Sequence, residues 1–249
     1  MGLTTLGYNI QALKGLHWMS ANQNEDGSWY NLYQDEEPLE LNKQTNYASY
    51  IAVAVWHFYL LNNDINFLQS FWEPVKKGIL FSLSLQHSNG AIAWNINEFE
   101  TIDEDYLLTG CSSIAKSFEC AIAICQVLGR HNYESEWKIA HSKLITALEN
   151  PSEIFDLQKD RSRFSMDWYY PILGGINSKQ RIAALITKIQ DSFWVEGLGI
   201  KCVSDEPWVT VAETSECSIA YKKIGEDKIA LELLHNAIAI VDNKNIPYM

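Results

Sequence analysis

Most side chains placed to do chemistry in this sequence are carboxylates. Asp167 stands in the run Arg163-Phe164-Ser165-Met166-Asp167-Trp168-Tyr169-Tyr170-Pro171. Three adjacent aromatic rings would desolvate a carboxyl, raise its pKa and favour its acid form. Arg163 is the expected ion-pair partner. Glu213 and Glu216 are three residues apart, so on a helix they share a face. Either one, paired with Asp167 across a cavity, would complete a two-carboxylate arrangement for general acid and base work. Each position also suits a plainer role. An Asp just before an apolar helix caps it, and acids in a first turn are favoured by the helix dipole.

Around these acids the expected substrate contacts are Tyr47, His57, Trp168, Tyr169 and Tyr170, with Asp205 and Trp208 in a loop where Pro207 fixes the turn and which could form a rim. The acidic run Glu98, Glu100, Asp103, Glu104 and Asp105 has the oxygen ligands that magnesium would need, but it reads as a solvated loop. The six His show no ligand spacing, and the five Cys form an odd set without a C-x-x-C pair. No metal and no cofactor is expected, and the cysteines read as buried free thiols.

The elements that would position these residues follow from a repeat. Lys14, Gly15, Gln23 and Gly27 recur as Lys77, Gly78, Gln86 and Gly90 at one offset of 63 residues, with Trp29 answered by Trp94. Self-similarity of this kind marks one supersecondary unit used several times. Each unit reads as a helix ending near the Gln, a tight turn at the Gly, a Trp packed on the helix end, and then a second helix. Helices after the turns are apolar almost all round, as in 44–61 and 110–128, and so are inner helices. Alternate ones are amphipathic, as in 133–149. The alternation predicts outer helices near 5–21, 64–86, 133–149, 178–192 and 227–242, and inner ones near 44–61, 110–128, 166–174 and 213–224. That is an all-α fold, an α/α toroid of about four and a half hairpins in a single domain over 1–249. Inner helices of a toroid start at one mouth of the cavity, which would bring Tyr47, Ser112, Ser113, Asp167 and Glu216 together.

Composition limits the partners. A net charge of −12 without a basic run excludes nucleic acid as the expected ligand. The apolar stretch from Ile51 to Leu61 is well short of the ~20 residues that cross a bilayer, and residues 1–20 lack the pattern of a signal peptide. A cytoplasmic location and a small-molecule substrate are the expectations.

Residues 14–29, KGLHWMSANQNEDGSW, resemble the QW motif of squalene cyclases, and residues 77–94 resemble it more loosely. With GCSSIAKSFECAIA, RFSMDWYYPILGG and GLGIKCVSDEPWVTVAET, the chain resembles bacterial members of the prenyltransferase/squalene oxidase repeat family, in the terpene cyclase and protein prenyltransferase superfamily. The resemblance implies an α/α barrel with a central cavity for an isoprenoid. Two motifs depart from it. The stretch matching the zinc site of protein prenyltransferases, Ala212 to Cys217, has no His, and Asp103-Glu104-Asp105-Tyr106 replaces the Asp-x-Asp-Asp of the cyclases. A second resemblance is carried by Trp56-His57-Phe58-Tyr59, Asn63-Asp64, Phe67-Leu68 and Trp72 to Lys77. It is similar to the hairpin spacing of six-hairpin glycosidases and debranching enzymes, toroids that act on sugars. Because the resembling proteins carry further hairpins, the ring is expected to be incomplete or closed by a partner, a second copy included. The leading expectation is a prenyltransferase or terpene cyclase-like enzyme whose aromatic wall steadies a cation. The alternatives are a carbohydrate-active enzyme and a non-catalytic helical binding module.

Overall fold

The computed structural model describes residues 1–240. The chain begins with α1 (Gly2–Thr5) and α2 (Asn9–Ala21), followed by a hairpin of β1 (Leu32–Gln34) and β2 (Glu37–Glu40) and by β3 (Lys43–Gln44). Then come α3 (Thr45–Ser49), α4 (Ile51–Asn62), α5 (Ile65–Ser70) and α6 (Trp72–Ser84). Two short strands, β4 (Asn95–Ile96) and β5 (Ile102–Asp103), precede α7 (Leu108–Leu128), α8 (His131–Glu149), α9 (Met166–Gly174) and α10 (Lys179–Ser192). The pair β6 (Trp194–Val195) and β7 (Gly199–Ile200) leads to α11 (Val211–Lys223) and α12 (Asp227–Ala239).

This is the α/α toroid that the alternation predicts. The inner helices are α3 with α4, α7, α9 and α11, each packed on the next. Outer α6 backs α3 and α4, α8 backs α7, α10 backs α9 and α12 backs α11. Three expected helices are subdivided. Gly7 breaks the first outer helix between α1 and α2, Tyr50 separates α3 from α4, and Phe71 separates α5 from α6. The ends obey local rules: Asp64 Oδ1 accepts from the N–H groups of Asn66 and Phe67 to cap α5, and Gly129 closes α7 in the left-handed region at φ +66°. The last two positions of the expected helix 227–242 and the end of the expected domain lie outside the described residues.

The repeat is visible atom by atom. Gln23 Nε2 donates to the carbonyls of Gly27 and Pro74, and Gln86 Nε2 donates to those of Gly90 and Ala140, so each turn is tied to the next outer helix. Gly27 and Gly90 have φ +93° and +92°, and a Cβ on either would stand 2.2 Å from the Lys77 carbonyl oxygen or 2.3 Å from that of Lys143. Only glycine fits. Trp29, 3% exposed, donates its Nε1–H to the Met19 carbonyl at 2.7 Å, on the end of α2. Trp94 departs from this pattern. It lies half-buried beneath Lys159, whose Nζ is 4.9 Å from the ring centroid.

The core runs between the two helix layers and is anchored by Trp72, Tyr133 and Trp137, with ring centroids 5.4 to 5.8 Å apart. Inner α7 has the length and mean hydropathy, 1.3, of a bilayer span, but its apolar character serves packing on α4, α8 and α9. The acidic run is not simply a solvated loop. Glu100 joins Asp26 on the buried ammonium of Lys43, at 2.8 and 3.1 Å, and Asp105 is itself buried. A buried Lys requires such partners, and two loops are thereby locked together at the helix starts.

Candidate functional site

A cavity of about 1370 Å³ runs along the inner helices. Its wall is aromatic and aliphatic near α3 and α4, where Tyr47, Tyr50, Trp56 and His57 face it, and Ile219 of α11 joins them. Tyr47, Tyr50 and Ile219 are 50%, 43% and 60% exposed. Large apolar side chains left this open around a concavity mark a binding surface. Besides Asn46 of α3, the polar groups come mostly from the faces of the other inner helices, among them Thr109, Ser112, Lys116 and Glu119 of α7 and Glu216 and Lys223 of α11. His57 exchanges a hydrogen bond with Thr5 Oγ1 at 3.1 Å, which fixes its ring against the wall.

Glu216 is the best-held carboxylate of this wall. Tyr169 donates its hydroxyl to Oε2 at 2.8 Å, and Tyr170 donates to Oε1 at 3.1 Å. Burial, reinforced by the neighbouring Glu216 charge, pushes both phenols well above the ordinary tyrosine range. They are therefore fixed as donors, and Glu216 as the acceptor of both. Local sequence sets the register. Thr210 caps α11 by accepting from the Glu213 N–H, and this orients the first turn so that Glu216 reaches the cavity while Glu213 stays 9% exposed behind it. Glu213 Oε2 has no hydrogen-bond partner among the described residues.

Asp167 lies at the same mouth but behind the wall, 4% exposed, while its neighbours Met166 and Thr109 line the cavity. It does not cap α9. Ser165 holds that position, and Asp167 lies in the first turn with neither oxygen hydrogen-bonded among the described residues. Its ion-pair partner is Arg161, 3.4 Å away and also 3.9 Å from Asp156, whereas Arg163 pairs with Asp205 at 2.9 Å. Burial pushes Asp167 up to about 7 despite Arg161, and pushes Asp156 up to about 6. Burial raises this carboxyl, but the polar tips of the rings that follow it in sequence turn elsewhere, Trp168 to Ser162 and Tyr169 and Tyr170 to Glu216.

The remaining expected site residues scatter. Tyr47, His57 and Tyr170 face the cavity, and Tyr169 is wholly buried. Trp168 points elsewhere, donating its Nε1–H to Ser162 O under the ammonium of Lys188. Asp205 and the 58% exposed Trp208 stand in an outer loop away from the cavity wall. Sequence reasoning passed over Tyr50, Lys116, Glu119 and Lys223, the last of which donates to the Leu173 carbonyl at 2.9 Å. Helical spacing carries the missing signal. Ser112, Lys116 and Glu119 follow one another at intervals of four and three, as do Glu216, Ile219 and Lys223 at three and four, so each helix face could have been followed inward from its start.

No protein-family model matches the chain. Among curated proteins it is similar to the MMP endo-(1,4)-3-O-methyl-alpha-D-mannosidase of Mycolicibacterium hassiacum, 38% identical over 226 residues, which are 91% of this chain and 61% of that protein. The chain thus spans less than two thirds of that relative's length. Among solved structures it resembles an uncharacterized conserved protein from Thermus thermophilus, with TM-score 0.72 and 11% identity over 96% of this chain and 81% of the other. It also resembles a rhamnosidase from Klebsiella oxytoca with rhamnose bound, with TM-score 0.61 and 9% identity over 87% of this chain and 42% of the other. These two establish the fold alone. With the mannosidase they leave the α/α toroid standing and overturn the prenyltransferase or terpene cyclase expectation. The QW-like turns belong to toroid hairpin construction, the Gln and Gly being used for the backbone contacts described above, and do not identify an isoprenoid chemistry.

Proposed function

We propose that this chain is a carbohydrate-active enzyme, a glycoside hydrolase acting on a mannose-containing oligosaccharide. The observation that carries this reading is Glu216, presented to an aromatic cavity with each oxygen held by a tyrosine hydroxyl. The similarity to an endo-mannosidase over 91% of the chain supports it. Apolar rings such as Tyr47, Tyr50 and Trp56 suit the C–H faces of sugars, and the O-methyl groups named for that relative's substrate would add apolar area to bury.

Hydrolysis adds water across a glycosidic C–O bond: hydroxide to the anomeric carbon and a proton to the departing oxygen. Two carboxyl groups in opposite protonation states serve this need. Glu216, the acceptor of two hydroxyls, is the base that takes the proton from water. Asp167, kept as an acid near neutrality by burial, is the source of the other proton; its carboxyl lies behind the wall, so the proton passes by way of the Thr109 hydroxyl, which lines the cavity beside it, gives its own proton to the departing oxygen and takes that of Asp167. Ligand-dependent melting tests the substrate class. Mannose oligosaccharides, with and without O-methyl groups, should raise the melting temperature in a dose-dependent way. Stabilisation by prenyl diphosphates and by no sugar would overturn the reading.

A further inference from the structure

The two tyrosines beside Glu216 differ in one respect that separates their roles. Successive residues on a helix point about 100° apart, yet the hydroxyls of Tyr169 and Tyr170 converge on one side chain of the adjacent helix. They do so because Glu216 reaches from α11 into the angle between them, offering Oε2 to Tyr169 and Oε1 to Tyr170. With both oxygens engaged, the plane and rotation of the carboxylate are set by α9 and not by solvent. Tyr170 also lines the cavity. Tyr169 does not, and its exposure is 0%.

We infer that Tyr169 is a positioning residue, which aims Glu216 from behind the wall, whereas Tyr170 shares that task and also touches the sugar. The inference rests on the glycosidase reading for its kinetic consequences, but its physical core is a donor buried against one oxygen of a carboxylate that faces the cavity. A hydrogen bond to a charged group is among the stronger ones, and removing its donor favours the protonated carboxyl. The alternative is that the Tyr169 hydroxyl merely helps α9 pack on α11. A packing role would lower stability and leave the titration of Glu216 unchanged.

The test uses the full chain and the variants Tyr169→Phe, Tyr170→Phe and Glu216→Gln. On an oligomannoside, Tyr169→Phe should lower kcat about tenfold with KM within about twofold, and the acid limb of the rate profile should move to higher pH. Tyr170→Phe should raise KM as well. A second readout needs no turnover: the carboxylate infrared band absent from Glu216→Gln should vanish at higher pH in Tyr169→Phe than in the parent. Difluorotyrosine at position 169 retains the ring and makes a stronger donor, so it should move that band the other way, and it serves if the Phe variant folds poorly. An unmoved band in the Phe variant, or in the fluorinated one where that is the variant used, overturns the inference. Full activity in Glu216→Gln overturns the catalytic reading instead, and the band then still decides whether Tyr169 positions the carboxylate.

Discussion

Gln23 Nε2 lies 3.0 Å from the Pro74 carbonyl oxygen, the bond that fastens the turn after α2 to the outer helix α6, and Gln86 makes its counterpart to Ala140 at 2.9 Å. Each amide also bonds the glycine of its own turn, so Gln23→Ala and Gln86→Ala should each cost about 1–3 kcal/mol by leaving half-buried carbonyls unpaired. Trp29→Ala should cost ~3–5 kcal/mol, because the ring is buried. Trp94→Ala should cost less, since that ring is only half-buried. Denaturant midpoints check the order, and equal midpoints for the two Trp variants would contradict it.

The same contacts explain how much was legible beforehand. Hairpin alternation needs only the period of apolar residues, so the positions of α7, α8, α9 and α10 were readable to within a few residues. Gln and Gly repeat because they meet backbone atoms, which any hairpin supplies. Partners set by loops were not readable. Arg161 and Arg163 are both in reach of Asp167 by sequence, and the path of the loop before α9, which sends Arg163 to Asp205, decided for Arg161. Nor could the sequence distinguish Tyr169 from Tyr170, whose exposure depends on how α9 is rotated against α11.

Stability should depend on Asp167 through pH. Its folded-state pKa is raised by burial from 3.8 to about 7, so below the lower value the acid form adds no penalty, and stability is lost as pH rises through that window. Asp167→Asn removes this loss. The variant's melting temperature relative to the parent should therefore be higher at pH 8 than at pH 5. A difference that is flat across this range would contradict the buried-acid assignment.

Activity should distinguish the two acids that could protonate the departing oxygen. Asp167→Asn should lower turnover by ~10²-fold or more while preserving the fold. Glu119→Gln, on the cavity wall beside Lys116, should lower it by less than about tenfold. If the effects are reversed, Glu119 is the acid and Asp167 only shapes the mouth.

Chain cleavage in isotopic water tests the central claim most directly. Parent protein is incubated with α-(1,4)-linked mannose oligosaccharides, with and without 3-O-methyl groups, in water enriched in oxygen-18, and the products are weighed by mass spectrometry. The account predicts shorter oligosaccharides carrying one heavy oxygen per cut from the parent, and intact substrate from Glu216→Gln at matched melting temperature. Uncut substrate with the parent, or equal cleavage by parent and Glu216→Gln, would contradict it.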